Sequence, residues 1–249
     1  MTYNFTVSPD FNPDHLSGWF IFNTWLQKAI SEAIHLDLYD DFDSQRKAIA
    51  EDRFDLAYAN PYDATVLVRE KGFVPVVCPK GVSDEAIIAV SRDSPVKHIE
   101  DLPTDARIAT TEDPDVRMMC MIMLEPADIS RESAQIQYRD TYVLVAKDLI
   151  RGKADIGFFL EETFEDLSKV IRQELRPLVH SEIQLIHHVL LIGPRLAHKR
   201  AEVQQHLANM HTNEKGRKVL EGLGFEAWET VDQEETEFMI DLMDTLEAG

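Results

Sequence analysis

Apolar positions recur along this chain with two spacings, and the switch between them marks out the elements. Tyr3 to Ser8 alternates apolar and polar residues and predicts a first strand ending at Pro9, with a loop over Phe11 to His15. From Ser17 to Ile34, Trp19, Phe20, Phe22, Asn23, Leu26, Ala29 and Ile30 fall mostly at helical spacing. Leu36 to Tyr39 reads as a second strand, with Asp43 or Ser44 capping a polar amphipathic helix that runs to Glu51. A small-residue strand follows over Asp55 to Ala59. Ala64 to Glu70 reads as a helix stopped by Gly72, and Phe73 to Cys78 as a strand. Glu85 to Ser91 is a continuous apolar run of the kind found in buried strands. Beyond a short capped turn over Ser94 to Leu102, strands are expected at Arg107–Thr110, Ala134–Tyr138, Asp155–Phe159, Leu175–Val179 and His187–Ile192. Helices are expected at Pro114–Leu124, with proline at its first position, and at Thr141–Arg151 and Thr163–Arg172. Three more are expected at Ala197–Met210, Asn213–Glu221 and Gln233–Leu246.

The order is βαβαβ, a crossing strand, a second βαβαβ and a return, which is an α/β chain with parallel sheets. It predicts one discontinuous lobe over 1–78 plus 189–249 and a second lobe over 86–179. The chain would cross between them near 78–86 and 179–189. Two lobes joined by two extended crossings imply a cleft that opens and closes.

At 249 residues and 44% apolar content, the chain is long enough for one large domain or two lobes of ordinary size. With 45 acidic and 25 basic residues, the net charge is −20. Such a surface repels nucleic acid and anionic membranes, so neither is expected as a partner. Ten of the acidic residues and no Lys or Arg lie between Glu221 and Gly249, which reads as a solvated helical face. Cys78 and Cys120 are too few for a disulfide framework or a metal site and read as small buried residues. No apolar run reaches the ~18 residues a membrane span requires, so no membrane insertion is expected. The N-terminus lacks a basic region followed by an apolar core, which predicts a cytoplasmic protein if Met1 is native, and a periplasmic one if a signal peptide was removed.

Candidate chemistry concentrates between Ser44 and Ala64, SQRKAIAEDRFDLAYANPYDA. Pro61 stops the strand, so Asn60 to Asp63 forms a loop or helix start at its carboxyl end. In open α/β sheets ligands bind there, and an ordinary connection with a solvated turn has the same pattern.

Several blocks together resemble the substrate-binding proteins of phosphate, phosphite and phosphonate ABC transporters, which have the type II periplasmic-binding fold. RKAIAEDRFDLAYANPYDA resembles that family's helix and strand ending in a proline and a tyrosine. EAIIAVSRDSPVKHIEDLPTDARIATTEDPD resembles its crossing strand and following block, and LIRGKADIGFF its second-lobe strand. EKGRKVLEGLGFEAWETVDQEETEFMIDLM resembles its closing helix and tail, so the resemblance spans nearly the whole chain. It implies non-catalytic binding of a small polar molecule and a transporter as protein partner, with a signalling component as the other possible partner; no cofactor and no metal are expected.

The resemblance also implies a ligand-binding set. Ser8 and Phe11 follow the first strand, and Asn60 and Tyr62 follow the third. Thr110 and Thr111 supply hydroxyls in a second-lobe loop, with Arg139 and Thr141 before the next helix and Glu161 after the strand ending in Phe158-Phe159-Leu160. Family members hold an oxyanion at a helix N-terminus. Here Glu112, Asp113 and Asp115 bring negative charge to that loop, and Asp113 stands where it would cap the helix beginning at Pro114. Each close carboxylate would repel an anion by about 1–4 kcal/mol, so a ligand other than phosphonate is expected. Arg139 either offers an anion a positive charge or pairs with Asp140 or a surface acid.

Two other classes remain open. The same fold houses cytosolic enzymes of menaquinone and thiamin-pyrimidine synthesis, which would need an acid/base pair here from Glu161, Asp140, Glu85 and His180. His187 and His188, in a strand, would face opposite sides, one of them buried or near the hinge. An intracellular sensor or interaction module is the third class. Met118, Met121 and Ile122 share one helix face and read as core packing, with an adaptable partner surface as the alternative. Asp40, Asp41 and Asp43 lack the spacing and glycine of a calcium loop and read as a solvated turn.

Overall fold

The computed structural model describes residues 2–248. Strand β1 (Thr2–Val7) is followed by a short 3-10 turn at Pro13–His15, then α1 (Leu16–Ile30), β2 (Ala33–Asp37), α2 (Phe42–Ala50), β3 (Leu56–Ala59), α3 (Pro61–Arg69) and β4 (Val74–Pro79). Then come β5 (Ala86–Ser91), β6 (Arg107–Thr110), α4 (Pro114–Met123), β7 (Gln135–Tyr138), α5 (Tyr142–Ile150), β8 (Ile156–Leu160), α6 (Glu161–Glu165), α7 (Lys169–Gln173) and β9 (Leu175–His180). The chain finishes with β10 (Val189–Ile192), α8 (Arg200–Ala208), α9 (Glu214–Leu223), β11 (Trp228–Thr230) and α10 (Gln233–Ala248).

The chain divides into two compact units. One takes the chain up to Ser83 together with His187–Met243; the other takes Asp84–Ile186 and the residues from Asp244. The first unit carries a six-stranded sheet in the order β11-β4-β10-β3-β1-β2. Within it β1 pairs in parallel with β2 and β3, whereas β10 runs antiparallel between β3 and β4. The second unit carries a five-stranded sheet, β7-β6-β8-β5-β9, in which β6 pairs in parallel with β7 and β8, and β5 runs antiparallel between β8 and β9. The all-parallel sheets expected from the βαβαβ order are therefore mixed. In each unit a strand distant in sequence, β10 in one and β5 in the other, enters the sheet against the direction of its neighbours.

Alternation along the central strands sorts the first unit's core into two layers. Leu56 and Tyr58 of β3, with Leu190 and Ile192 of β10, join the α1, α8 and α9 side. Ala57 and Ala59, with Val189 and Leu191, join the α2, α3 and α10 side. The first layer is aromatic: Trp19 packs on Phe5, Phe22 and Tyr58 with ring centroids 6.1, 5.7 and 4.7 Å away. In the second unit Ile87, Ala89, Ala109, Val145, Leu149 and Phe159 form the buried centre.

Several boundaries differ from the sequence pattern for identifiable reasons. Helix α1 ends at Ile30, not Ile34, because Ser31 adopts a left-handed conformation (φ 56°) as its C-cap. The strand expected from Leu36 therefore starts at Ala33, with Gln27 Oε1 accepting from Ile34 N at 3.2 Å. A polar residue in place of glycine at that turn hid the stop. The single helix expected over Thr163–Arg172 is two, since Ser168 caps α7 through Ile171 N at 3.4 Å. Regular pairing of β10 begins at Val189, so His187 and His188 lie outside the strand. Helix α9 ends where Gly224 turns left-handed at φ 77°, as the closing glycine of its sequence block requires.

Candidate functional site

Each unit presents side chains from loops at the carboxyl ends of its parallel strands, and each set is described within its own unit. In the first unit, Ser8 and Asp10 follow β1, and Asn60 follows β3. Gln45 of α2 donates to Thr6 Oγ1 at 2.9 Å and to Val7 O at 2.8 Å, pinning the end of β1. Asn60 is fully buried; its Oδ1 accepts from Asp63 N at 2.8 Å, so it caps α3, and its Nδ2 lies 3.5 Å from Asp10 Oδ2. His188 Nε2 sits 3.0 Å from Asp10 Oδ1, and its ring stacks on Tyr58 with centroids 5.2 Å apart. Burial works against ionisation of Asp10, but the paired His188 and the hydrogen bond from Asn60 outweigh it and hold the carboxyl below its usual range. The buried Ser8 hydroxyl contributes to the same lowering, ahead of Asn60.

The flanks of this set are aromatic and paired. The Arg46 guanidinium lies between Phe42 and Tyr62, 5.0 and 4.6 Å from their ring centroids. It also reaches the buried Asp63 through Nε at 2.6 Å and Nη2 at 3.2 Å. Burial pushes the Asp63 carboxyl up, and Arg46 offsets that only in part. Phe11 packs half-buried against the aromatic layer.

In the second unit, Thr110 ends β6 and its Oγ1, fully buried, has no hydrogen-bond partner among the described residues. Thr111 Oγ1 accepts from Asp113 N at 3.4 Å. Asp113 caps α4, accepting from Asp115 N at 3.1 Å and Val116 N at 3.2 Å, and its other oxygen accepts from Tyr142 OH at 2.9 Å. The amides at this helix start are thus already met by a carboxylate of the chain itself. Thr141 caps α5 through Leu144 N at 3.3 Å. Arg139 takes neither Asp140 nor a surface acid. It forms an ion pair with the buried Asp148 of α5 and donates to Tyr138 O and Gln137 Oε1, each at 2.7 Å.

The titratable candidates separate. Glu161 and His180 pair at 3.3 Å with both side chains about two-fifths exposed, at 41% and 42%. Glu85 is buried and its carboxylate is engaged by the Ser181 hydroxyl and by the amides of Ile183 at 3.1 Å and Gln184 at 2.6 Å. Both cysteines are buried; burial drives the Cys78 thiol up to about 11 and raises the Cys120 thiol well above its ordinary value, so neither ionises readily near neutrality. Met118, Met119 and Met121 are buried.

Of the residues named from the sequence, Ser8 and Asn60 lie beside Asp10 and His188 in the first unit, and Thr110 and Thr111 stand at the end of a strand of the second; the pairing of Asp10 with His188 was not anticipated. Asp10 follows Ser8 and Pro9 at a strand end, a position that alone warrants inclusion. Nothing local to His188 indicates a partner 178 residues earlier.

Over residues 5–236 the chain matches the family model described as ABC transporter, phosphonate, periplasmic substrate-binding protein. The chain belongs to this family. Its members are periplasmic substrate-binding proteins that bind a small ligand and work with an ABC transporter, and the fold is the type II periplasmic-binding-protein fold. PhnD1 from Prochlorococcus marinus, in complex with methylphosphonate, superposes with a TM-score of 0.82 at 11% identity, covering 99% of this chain and 98% of that one. A Xanthomonas citri protein bound to chloride ion gives 0.82 at 13% identity with the same coverages. The Escherichia coli aliphatic sulphonate binding protein SsuA gives 0.68 at 14% identity, covering 99% and 92%. At these identities the likeness is one of fold. No curated protein matches in sequence. Among the described residues no helix of this family member is long and apolar enough to cross a membrane.

Proposed function

We propose that this protein binds a small neutral or positively charged polar molecule and delivers it to a transporter. Within each unit taken by itself, the candidate contacts lie at the carboxyl ends of parallel strands, β1 and β3 in the first and β6 in the second. The observation that carries this reading is the Thr110 hydroxyl: at 0% exposure and at the end of a parallel strand, its Oγ1 has no hydrogen-bond partner among the described residues, and the buried Ser8 hydroxyl stands at the corresponding end of β1. A buried polar group left unmade costs about 1–3 kcal/mol, and a ligand that bonds it recovers that cost. Thr111 follows Thr110 in sequence, and Asn60 ends β3, the strand paired with β1, with Tyr62 and Phe11 as apolar walls.

The charge pattern favours a ligand other than an oxyanion. The starts of α3, α4 and α5 are capped by Asn60, Asp113 and Thr141. Arg46 and Arg139 hold ion pairs with Asp63 and Asp148, and Asp10 stays ionised. The methylphosphonate held by PhnD1 and the sulphonate class of SsuA remain the alternative ligands. Family membership supports delivery in the periplasm, which fractionation of cells expressing the tagged chain tests.

The test is a thermal-shift screen against methylphosphonate, inorganic phosphate, methanesulfonate, small polyols and short amines, followed by calorimetry of the strongest stabiliser. Ser8→Ala and Thr110→Val are each expected to weaken that compound by about tenfold with the fold intact, the value of one net hydrogen bond. Unchanged affinity in both variants would overturn the assignment of these hydroxyls. Consumption of the bound compound during the titration would replace binding with catalysis.

A further inference from the structure

We infer that the first unit holds a second, separate site for a small organic cation with an apolar body, at the pole of its sheet opposite Ser8 and Asn60. A cavity of about 220 Å³ opens there, with Ile49, Phe54, Leu67, Phe73 and Pro194 as apolar walls. That is room for a compound of roughly ten non-hydrogen atoms, below the usual size of a metabolite pocket.

The polar side of the cavity carries two ion pairs, Lys71 with Asp52 at 2.8 Å and Arg195 with Asp55 at 3.3 Å, and the second is the looser. Asp55 lines it, at 1% exposure; its Oδ2 accepts from Asn4 N at 3.0 Å, while its Oδ1 has no hydrogen-bond partner. Among the described residues Oδ1 is met by one ion-pair contact, from Arg195 Nε at 3.3 Å, and Arg195 is half exposed at 51%. Buried carboxylates normally have their lone pairs satisfied, so an oxygen held by one long contact from a half-exposed side chain is the acceptor most open to exchange of its partner. The cavity also receives the carboxyl-terminal ends of α2 and α3, near Ile49 and Leu67, where helix dipoles favour cations. Lys71 illustrates that preference, its Nζ donating to Ala50 O at 3.0 Å and to Asp52 Oδ1 at 2.8 Å. The rings of Phe54 and Phe73 add aromatic surface of the kind that attracts organic cations. An alkyl- or arylammonium would place its N–H on Asp55 Oδ1, its body among the apolar walls, and displace Arg195 into solvent.

The proposal makes Arg195 a competitor, which separates it from an incidental cleft. Benzylammonium is titrated into the full chain by calorimetry, with the Ser8→Ala/Thr110→Val double variant as the control for the other site. Binding is expected at similar strength in wild type and in that double variant. Arg195→Ala is expected to tighten it by roughly tenfold, and Leu67→Trp, which fills the cavity, to abolish it. Asp55→Asn, which keeps the acceptor for Asn4 N, is expected to weaken it by at least tenfold. No binding at millimolar concentrations, or binding lost in the Ser8/Thr110 variant and indifferent to Leu67→Trp, would overturn the second site and leave the first untouched.

Discussion

Gly18→Ala is expected to destabilise this protein by about 3 kcal/mol or more, seen as a fall in Tm of roughly 10 °C. Gly18 lies on α1 where α1 crosses α9, and a Cβ there would sit 1.9 Å from Gly222 O and 3.1 Å from Leu223 N. Both obstacles are backbone, so no rotamer change relieves them. The helices would have to separate, and Trp19 and Phe22, buried at 1% and 0%, would lose contacts with Phe5 and Tyr58. Gly222→Ala is the internal control. Among the described residues its added Cβ meets Gly18 Cα alone within 4 Å, at 3.4 Å, an ordinary van der Waals distance. Its cost should be smaller. Equal Tm values for Gly18→Ala and wild type would show that the two helices do not approach this closely in solution.

Asp10→Asn is expected to cost about 3–5 kcal/mol at pH 7, the usual penalty for removing one partner of a buried ion pair. The loss should depend on pH in a stated direction. The folded protein holds the Asp10 carboxyl below its ordinary range through His188 and Asn60, against the opposing effect of burial. A depressed carboxyl binds fewer protons in the folded state, so its contribution is complete above the unfolded pKa of about 3.9 and is lost as pH falls through the folded value. Denaturant unfolding of wild type and Asp10→Asn between pH 3 and 7 should therefore show a gap that is full at neutrality and narrows below about pH 4. A gap that widened on acidification would contradict the pairing. Asp63 has the opposite sign: burial raises its carboxyl, so its ionisation erodes stability as pH rises through the acid range.

Much of this fold was legible along the chain because local chemistry and architecture agree. Pro61 and Pro114 stand at the first positions of α3 and α4, and Asn60, Asp113 and Thr141 cap the helices they precede. Sheet order was not legible. The antiparallel insertion of β10 between β3 and β4 depends on pairing Val189–Ile192 with residues more than a hundred positions away. The site divides in the same way. The hydroxyls Ser8 and Thr110 were named through the family resemblance, and they lie at the ends of β1 and β6. The partners that set charge were not legible: Asp10 finds His188 across 178 residues, and Arg139 passes over adjacent Asp140 for Asp148, which α5 carries back beside it. Ser31 shows the limit at short range, since a left-handed serine ends α1 where a glycine would have announced the stop.

The most direct measurement is a calorimetric titration of methylphosphonate into the full chain at pH 7. A protein whose helix starts are self-capped, whose Arg46 and Arg139 are internally paired and whose Asp10 is ionised should give no saturable heat up to about 1 mM, a weakness of about −4 kcal/mol or less. Saturable binding in the micromolar range would contradict that account and assign this chain the oxyanion its family is named for.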